Sequence, residues 1–350
     1  MLESDIYRRE IDEFADVNRS MLAEFSGTRF LVTGAAGLIG SYLIDLIAAG
    51  NRKFGFGVEV YACDRDAGRL SSRFAEFDDA CVRRLPLDVC RNDLPHKRFD
   101  YIIHAASNTS PVDYAGKPVD TIWTNVAGAK RLLDIAVECG VRRFLFCSSV
   151  EAYGRNNGDI ENFTEDYSGY IDSNTLRAGY PSAKRCVEAL CNAYAAEYDW
   201  LDFIIARIGR FFGPTVLAGD TKAPSQFLGN ALDGEDVVLK SSGCQLFSWG
   251  YVSDCVTAML KLLAKGDCGE AYNVAHPEPL SLREFAESVA ECAGVAVRMS
   301  GLSAAEKTAY SKIDKATMDV KKLLALGWRP VVSLQEGVRK TYSIMKEIHG

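Results

Sequence analysis

The segment Phe30-Leu31-Val32-Thr33-Gly34-Ala35-Ala36-Gly37-Leu38-Ile39-Gly40 constrains this chain more than any other. A short apolar run breaks at a glycine, and two more glycines follow at three-residue intervals before an apolar helical pattern begins. Arg29 to Thr33 reads as a buried strand and Leu38 to Ala49 as a helix, so the glycines mark a strand-to-helix junction. Gly34 permits the tight turn, Gly37 lets the backbone approach a pyrophosphate, and Gly40 lets helix pack close on strand. The first helical N–H groups then face the anion. The same spacing also suits a purely steric strand end, since glycine adopts backbone shapes that other residues avoid. A chain that opens in this way is expected to be α/β, a doubly wound parallel sheet whose right-handed crossovers place helices on both faces.

The next segments favour the dinucleotide. Val58-Glu59-Val60-Tyr61-Ala62-Cys63-Asp64 reads as a second strand ending in a carboxylate. It lies near the spacing of about 20 residues that separates the ribose-binding acid from such a glycine cluster. Asp64 would accept hydrogen bonds from the adenosine ribose hydroxyls and repel a 2′-phosphate, which favours NAD over NADP. Arg65 and Arg69 work against that preference. Asp88 and Val89 follow an apolar stretch, where Asp88 either meets the adenine amino group or is an ordinary strand-end residue. Tyr101 to Ser107 reads as a fourth buried strand running into Ala105, Ala106 and Ser107, small enough for a cofactor ribose and pyrophosphate to pass. His104 fits a packed strand-end residue better than a catalyst.

With 350 residues, 48% of them hydrophobic, the chain can bury one large α/β unit with a smaller appended region. A net charge of −7 offers no basic face for nucleic acid. No uninterrupted apolar stretch of about 18 residues appears, and the first residues are charged rather than a leader-like apolar core. These features predict a soluble cytoplasmic protein with no membrane contact. The eleven cysteines lack CxxC spacing, and Cys63, Cys147, Cys186, Cys191, Cys255 and Cys292 sit in apolar segments. Reduced, mostly buried thiols are expected, with no metal site. Residues 1–28 read as one charged amphipathic helix carrying Ile6, Ile11, Phe14, Val17, Met21 and Phe25.

Arg143 to Ser149 reads as a further strand that breaks into Val150-Glu151-Ala152-Tyr153-Gly154. Hydroxyls thus fall at the carboxyl end of a parallel strand, where open α/β sheets carry their ligands, and Ser148 or Ser149 can hydrogen-bond a substrate hydroxyl. Gly179 and Pro181 mark a helix start. Tyr180 and Lys184 then stand one turn apart on one helical face. A tyrosine acts as a base at neutral pH only if its pKa falls by roughly three units, about 4 kcal/mol of stabilisation. The lysine, with a positive nicotinamide nearby, has the right sign for that.

In these motifs the sequence resembles the extended short-chain dehydrogenase/reductase family, in its nucleotide-sugar epimerase/dehydratase branch. The resemblance runs over about residues 29–340. It is carried by Thr33 to Gly40, Asp64, His104 to Ser107, Asn125-Val126-Ala127-Gly128, Ser148 to Gly154, Tyr180 with Lys184, Arg207 leading to Phe212-Gly213-Pro214, and Tyr251-Val252-Ser253-Asp254. It implies a Rossmann-type domain with a smaller C-terminal α/β substrate-binding region, and a nucleotide-sugar substrate. Implied at the cofactor are Gly34, Ala36, Gly37, Leu38, Ile39, Asp64, Asp88, Val89, Ala105, Ala106, Ser107, Asn125, Tyr180 and Lys184. By the same resemblance Tyr180 deprotonates the sugar 4-hydroxyl, Lys184 holds the nicotinamide ribose and lowers the tyrosine pKa, and Ser149 shares the proton. Hydride passes to tightly held NAD, leaving a 4-keto sugar.

One intermediate of this kind serves three reactions. It can lose water, lose a C5 carboxylate, or take its hydride back on the other face. Glu151 resembles the carboxylate of 4,6-dehydratases and UDP-glucuronate decarboxylases, which 4-epimerases of the usual type lack. Val150 stands where dTDP-glucose dehydratases carry an acid. Leu176 to Glu188, with Arg177 three places before Tyr180, further resembles the decarboxylases. A lyase of decarboxylase or dehydratase type is favoured, with a 4-epimerase as the alternative and a secondary-alcohol dehydrogenase releasing NADH as the alternative of another class. Arg210 replaces a usual Asn and Phe247 a usual Arg, so Arg210 is expected to take over the phosphate contact alongside Arg207, Arg177 and Ser148 at the substrate.

The organisation implied is a helical extension over 1–28, an NAD-binding domain over 29–205, and a mainly substrate-binding region over 206–350. Residues of about 247–263 are expected to return to the NAD-binding domain. Leu280 to Phe285 reads as a capped helix start, and Lys312 to Leu326 as a helix. The helices holding Asn125 and Lys184 imply a homodimer.

Overall fold

The computed structural model describes residues 1–91, 97–108, 116–217, 219–301 and 314–349. Its first half alternates strand and helix. The order is α1 (Asp5–Val17), α2 (Arg19–Ala23), β1 (Arg29–Thr33), α3 (Leu38–Phe54), β2 (Glu59–Asp64), α4 (Ala67–Arg73), β3 (Val82–Pro86), β4 (Tyr101–His104), α5 (Pro118–Cys139), β5 (Arg143–Ser149), α6 (Gly179–Glu197) and β6 (Phe203–Ile208). The second half has shorter elements: β7 (Arg210–Phe212), α7 (Ala223–Leu232), β8 (Val237–Leu239), β9 (Leu246–Phe247), β10 (Trp249–Tyr251), α8 (Val252–Lys265), β11 (Ala271–Val274), β12 (Leu280–Ser281), α9 (Leu282–Ala293), β13 (Val297–Met299), β14 (Lys315–Ala316), α10 (Lys321–Ala325) and α11 (Leu334–His349).

Seven parallel strands form the central sheet in the order β11-β6-β5-β4-β1-β2-β3. The order reverses between β1 and β4, and the crevice beyond their carboxyl ends is where such a sheet receives a ligand. Both faces are covered, so the strands read as near-continuous apolar runs, and β4 is buried throughout. Successive residues serve opposite layers. Phe30 and Val32 join Tyr42, Leu43 and Met259 beneath α3 and α8, while Leu31 joins Leu132, Leu133 and Val187 beneath α5 and α6. Helix α8 packs on α3, β5 and β6, so the chain comes back to the large sheet after β10.

The N-terminal segment is anchored to this body. Tyr7, Ile11, Phe14 and Ala15 bury one face of α1 against α3 and α11. Glu10 is buried, its Oε1 accepting hydrogen bonds from Tyr42 (2.9 Å) and Tyr251 (2.7 Å), and burial pushes its carboxyl up from the ordinary value. The single helix expected over these residues is instead two, separated at Asn18, whose backbone N–H turns back to Phe14 and Asp16 carbonyls. Val17, expected in the apolar stripe, is 77% exposed.

A second correction concerns Lys312 to Leu326, where only Lys321–Ala325 is helical and residues 312 and 313 lie outside the described residues. Lys315 and Ala316 pair in parallel with Leu246 and Phe247, a sheet contact that overrides local helical spacing. Ser281 and Glu284 do form a capping box at the start of α9. All eleven cysteines are free thiols, but Cys186, expected among the buried ones, lies on the outer side of α6 and is exposed.

Candidate active site

The glycine turn places backbone where side chains would not fit. Gly34 has φ +68°, and a Cβ there would stand 2.8 Å from the Ala105 carbonyl carbon and the Ala106 nitrogen. A Cβ on Gly40 would stand 2.4 Å from the Gly34 oxygen, so α3 can start this close only with glycine at that position. A Cβ on Gly37 would meet only the Gly34 oxygen within 4 Å, which leaves its outer side open at the N-terminus of a 17-residue helix. A turn of this shape at a helix N-terminus can receive a pyrophosphate. Leu38 and Ile39 form the first turn, with the Leu38 carbonyl accepting from Thr215 Oγ1 (2.7 Å).

The carboxylate that ends β2 faces the same loop. Asp64 Oδ2 accepts from the Ala36 N–H (3.3 Å), while Oδ1 pairs with Arg69 (3.1 Å). Arg65 turns instead to Asn108 (3.0 Å). Asp88 accepts from the Cys90 N–H (2.9 Å), and buried Val89 packs under Gly128 of α5. Thr33 Oγ1 bridges His104 Nδ1 (2.9 Å) and the Ala106 N–H (3.3 Å), tying the ends of β1 and β4 together. Burial, and then the charge of Lys184, pushes His104 down to about 3, so it is neutral at physiological pH and a packed strand-end residue. Ser107 Oγ donates to Asn125 Oδ1 (3.0 Å), and buried Asn125 in turn donates to the Thr121 carbonyl (2.8 Å). These groups fit a dinucleotide laid across the switch point.

The catalytic candidates meet at the end of β5. Ser149 caps a short 3-10 turn, Val150–Tyr153, by accepting from the Glu151 N–H (3.2 Å). Tyr180, in the first turn of α6, is buried, and its phenol is hydrogen-bonded by Ser149 and Ser107, with the Glu151 carboxylate close enough to act on it. Burial and then Glu151 raise the phenol above its ordinary value, while the two serine hydroxyls pull it down. The protein's own groups therefore keep Tyr180 protonated at neutral pH, and the lowering expected from Lys184 is not among its principal influences. Lys184 Nζ donates to the Cys147 carbonyl (2.8 Å) and lies 5.5 Å from the Tyr180 ring centroid.

Burial lowers Lys184 from 10.5 to about 8. The folded chain thus gives up this proton at lower pH than the unfolded chain. The cost of burying the ammonium is complete below pH 8 and is relieved as pH rises from there toward 10.5. Relative to Lys184→Met, the native chain should gain unfolding free energy over that window, approaching about 3 kcal/mol. Urea denaturation of both chains across the window measures it, and a constant difference contradicts it.

Two expected substrate residues are engaged elsewhere. Ser148 Oγ donates to Glu188 Oε1 (2.5 Å), and Arg207 pairs with Glu188 (2.7 Å) and donates to the Glu165 carbonyl (2.6 Å). Together they lock β5 and β6 to α6. Glu188 was not picked out from the sequence, although it lies on the Tyr180 and Lys184 face one turn beyond Lys184. The contact of Ser107 with Tyr180 was likewise missed, because their separation in sequence hides it. Arg177 is half-buried in the 3-10 turn before α6. The Arg210 guanidinium lies 4.0 Å from the Phe247 ring centroid and 5.9 Å from that of Trp249. Arg210 thus places a cation directly beside position 247. Among the described residues there is no cluster of His, Cys, Asp and Glu that can hold a metal ion.

Residues 30–275 match the profile of the NAD dependent epimerase/dehydratase family, and the chain belongs to that family. It is similar to UDP-glucuronic acid decarboxylase 1 of Xenopus tropicalis, 31% identical over 330 residues that cover 91% of this chain and 72% of the relative. Its fold is that of the epimerase Mth375 of Methanothermobacter thermautotrophicus (TM-score 0.82, 21% identity, 94% of this chain and 95% of the other). The dTDP-glucose 4,6-dehydratase of Streptomyces venezuelae, solved with NAD bound, aligns at TM-score 0.76 with 26% identity, over 91% of this chain and 97% of the other. The chain is an NAD-dependent enzyme.

Proposed function

We propose that this member of the NAD dependent epimerase/dehydratase family is a lyase of the decarboxylase type, acting on a nucleotide-linked uronic acid such as UDP-glucuronate. The observation that carries the reading is the Glu151 carboxylate held beside Tyr180, next to a Val150 that is buried. A carboxylate in that place suits proton handling at C5 of the sugar. Val150 offers no acid to protonate a departing C6 hydroxyl, and decarboxylation needs none. The named similarity to UDP-glucuronic acid decarboxylase supports the same choice.

Tyr180 then takes the proton of the sugar 4-hydroxyl, shared with Ser149, whose hydroxyl also stabilises the ionised phenol. Lys184, fixed by the Cys147 carbonyl, presents its ammonium to the cofactor ribose. Asp64 holds the adenosine ribose, and Gly34, Ala36 and Gly37 hold the pyrophosphate. When bound, NAD would supply a reversible hydride acceptor for C4, the hydride returning to C4 after the carboxylate is lost while Tyr180 gives its proton back to the 4-oxygen, and the positive charge that brings the Tyr180 phenol into range. The ketone at C4 makes a C5 carboxylate labile, and Glu151 manages the proton at C5 as carbon dioxide leaves.

Arg210 clamps the nucleotide diphosphate, its guanidinium held in plane by Phe247. Arg210→Met should raise KM for UDP-glucuronate by about 10- to 100-fold, the loss of one charge-assisted hydrogen bond, with NAD affinity unchanged. An unaltered KM contradicts this role.

The working unit is a homodimer in the cytoplasm. On the first turns of α5, Val119 (76% exposed), Ile122 and Trp123 (63%) present an apolar face suited to a second copy. The free thiols suit a reducing compartment, and no described helix is long and apolar enough to cross a membrane. Product formation from UDP-glucuronate with no net NADH, followed by near-ultraviolet absorbance, tests the lyase reading. NADH accumulating in proportion to product would indicate a dehydrogenase instead.

A further inference from the structure

We infer that Arg185 is a positioning residue for the second half of the reaction: it fixes the turn carrying Glu151 against the helix carrying Tyr180 and Lys184. The inference rests on the lyase reading above and deepens it. From α6 the half-buried Arg185 guanidinium reaches three backbone carbonyls. Nε donates to Ala152, and one terminal nitrogen donates to Tyr153 (2.9 Å) and Gly169 (2.7 Å). Ala152 and Tyr153 are the two residues that follow Glu151.

The segments held in this way are already in close backbone contact. The Gly169 N–H donates to the Tyr153 carbonyl and the Arg155 N–H to the Tyr170 carbonyl, each at 2.9 Å. A Cβ on Gly169 would stand 2.2 Å from the Arg155 oxygen, and one on Gly154 would stand 2.6 Å from the Tyr170 oxygen. Arg185 closes this seam onto α6. A guanidinium holds its N–H groups apart in a fixed plane that matches these carbonyls, whereas an ammonium offers its three donors from one rotating centre.

The neighbouring grips on this strand lie before Glu151. Lys184 holds the Cys147 carbonyl and Glu188 holds the Ser148 hydroxyl, while Ser149 is in contact with Tyr180. Removing the guanidinium therefore leaves the parts that oxidise C4 in place and loosens, on its α6 side, a turn that keeps its Ser149 cap and the Tyr153 hydrogen bond to Asn273 (2.6 Å).

The test uses the full chain with NAD and UDP-glucuronate, and compares Arg185→Met, Arg185→Lys, Glu151→Gln and the Arg185→Met/Glu151→Gln double variant. Three quantities are read: the NADH transient of a single turnover, the release of carbon dioxide, and the melting temperature. Arg185→Met should keep the transient within about 3-fold and slow carbon dioxide release by about 10- to 100-fold, the effect of displacing a reacting group by roughly 1 Å. A 4-keto sugar should accumulate, and Arg185→Lys should recover part of the rate. The double variant should be no slower than Glu151→Gln alone, as for two residues acting through one group.

A parallel fall of both halves with the melting temperature would assign Arg185 a structural role only and overturn the inference, as would wild-type carbon dioxide release by Arg185→Met. If Arg185→Met does not fold, the Arg185→Lys split between the two halves decides the matter. Unchanged carbon dioxide release by Glu151→Gln would take Glu151 out of the C5 chemistry and the Arg185 inference with it, whereas no carbon dioxide from the unaltered chain would remove the lyase reading itself. A defective Glu151→Gln beside normal Arg185 variants would remove only the Arg185 inference.

Discussion

Tyr180→Phe should lower kcat by about 10²- to 10⁴-fold, the usual worth of a positioned proton-transfer group, and leave NAD binding intact. The phenylalanine ring fills the same buried space, so the effect isolates the hydroxyl that Ser149 and Ser107 engage. The proposed cofactor cradle is built from other residues, chiefly the Gly34 to Gly40 turn and Asp64, whose contacts do not pass through Tyr180. Steady-state kinetics together with calorimetric titration of NAD checks both halves of the expectation. Full activity in the variant contradicts the assignment of Tyr180 as the base, and loss of NAD binding contradicts the separation of its role from cofactor binding.

Glu151→Gln should divide the reaction. The amide keeps the size and turn position of the carboxylate, but it can neither take nor return a proton at C5. It also removes the charge that helps to raise Tyr180, which eases rather than hinders the first proton transfer. The single-turnover NADH transient should persist, while product release falls by about 10²-fold or more. Rapid-mixing absorbance and product analysis separate the two steps. Unchanged product formation takes Glu151 out of the mechanism.

The parts of the site that the sequence made legible are those whose meaning is local. Three glycines at a strand end specify a turn, a backbone approach and a helix contact; the distances at Gly34 and Gly40 match the first and the last, and the outer side of Gly37 lies open. Tyr180 and Lys184 are joined by one helical turn, and the capping box of α9 lies within four residues. The departures at Arg210 and Phe247 were also visible, and the structure stacks one on the other.

What stayed hidden depends on long-range pairing. Ser148 looked available for substrate because its acceptor, Glu188, is 40 residues away. Arg207 shares that acceptor, which nothing local to β6 indicates. The pairing of Lys315 and Ala316 with β9 replaced an expected helix, and the break at Asn18 split another. The apolar neighbours of Cys186 suggested burial, yet its angular position on α6 leaves it facing outward. In each case a tertiary contact decided between local patterns that the sequence permits equally.

The account rests most heavily on the loss of a carboxylate from a 4-keto sugar. The most direct measurement is mass spectrometry of the nucleotide product after the purified protein and NAD are incubated with UDP-glucuronate. The account predicts a nucleotide pentose lighter by one carbon dioxide, formed without net NADH. A product of unchanged mass at a new chromatographic position would contradict it and make the enzyme an epimerase.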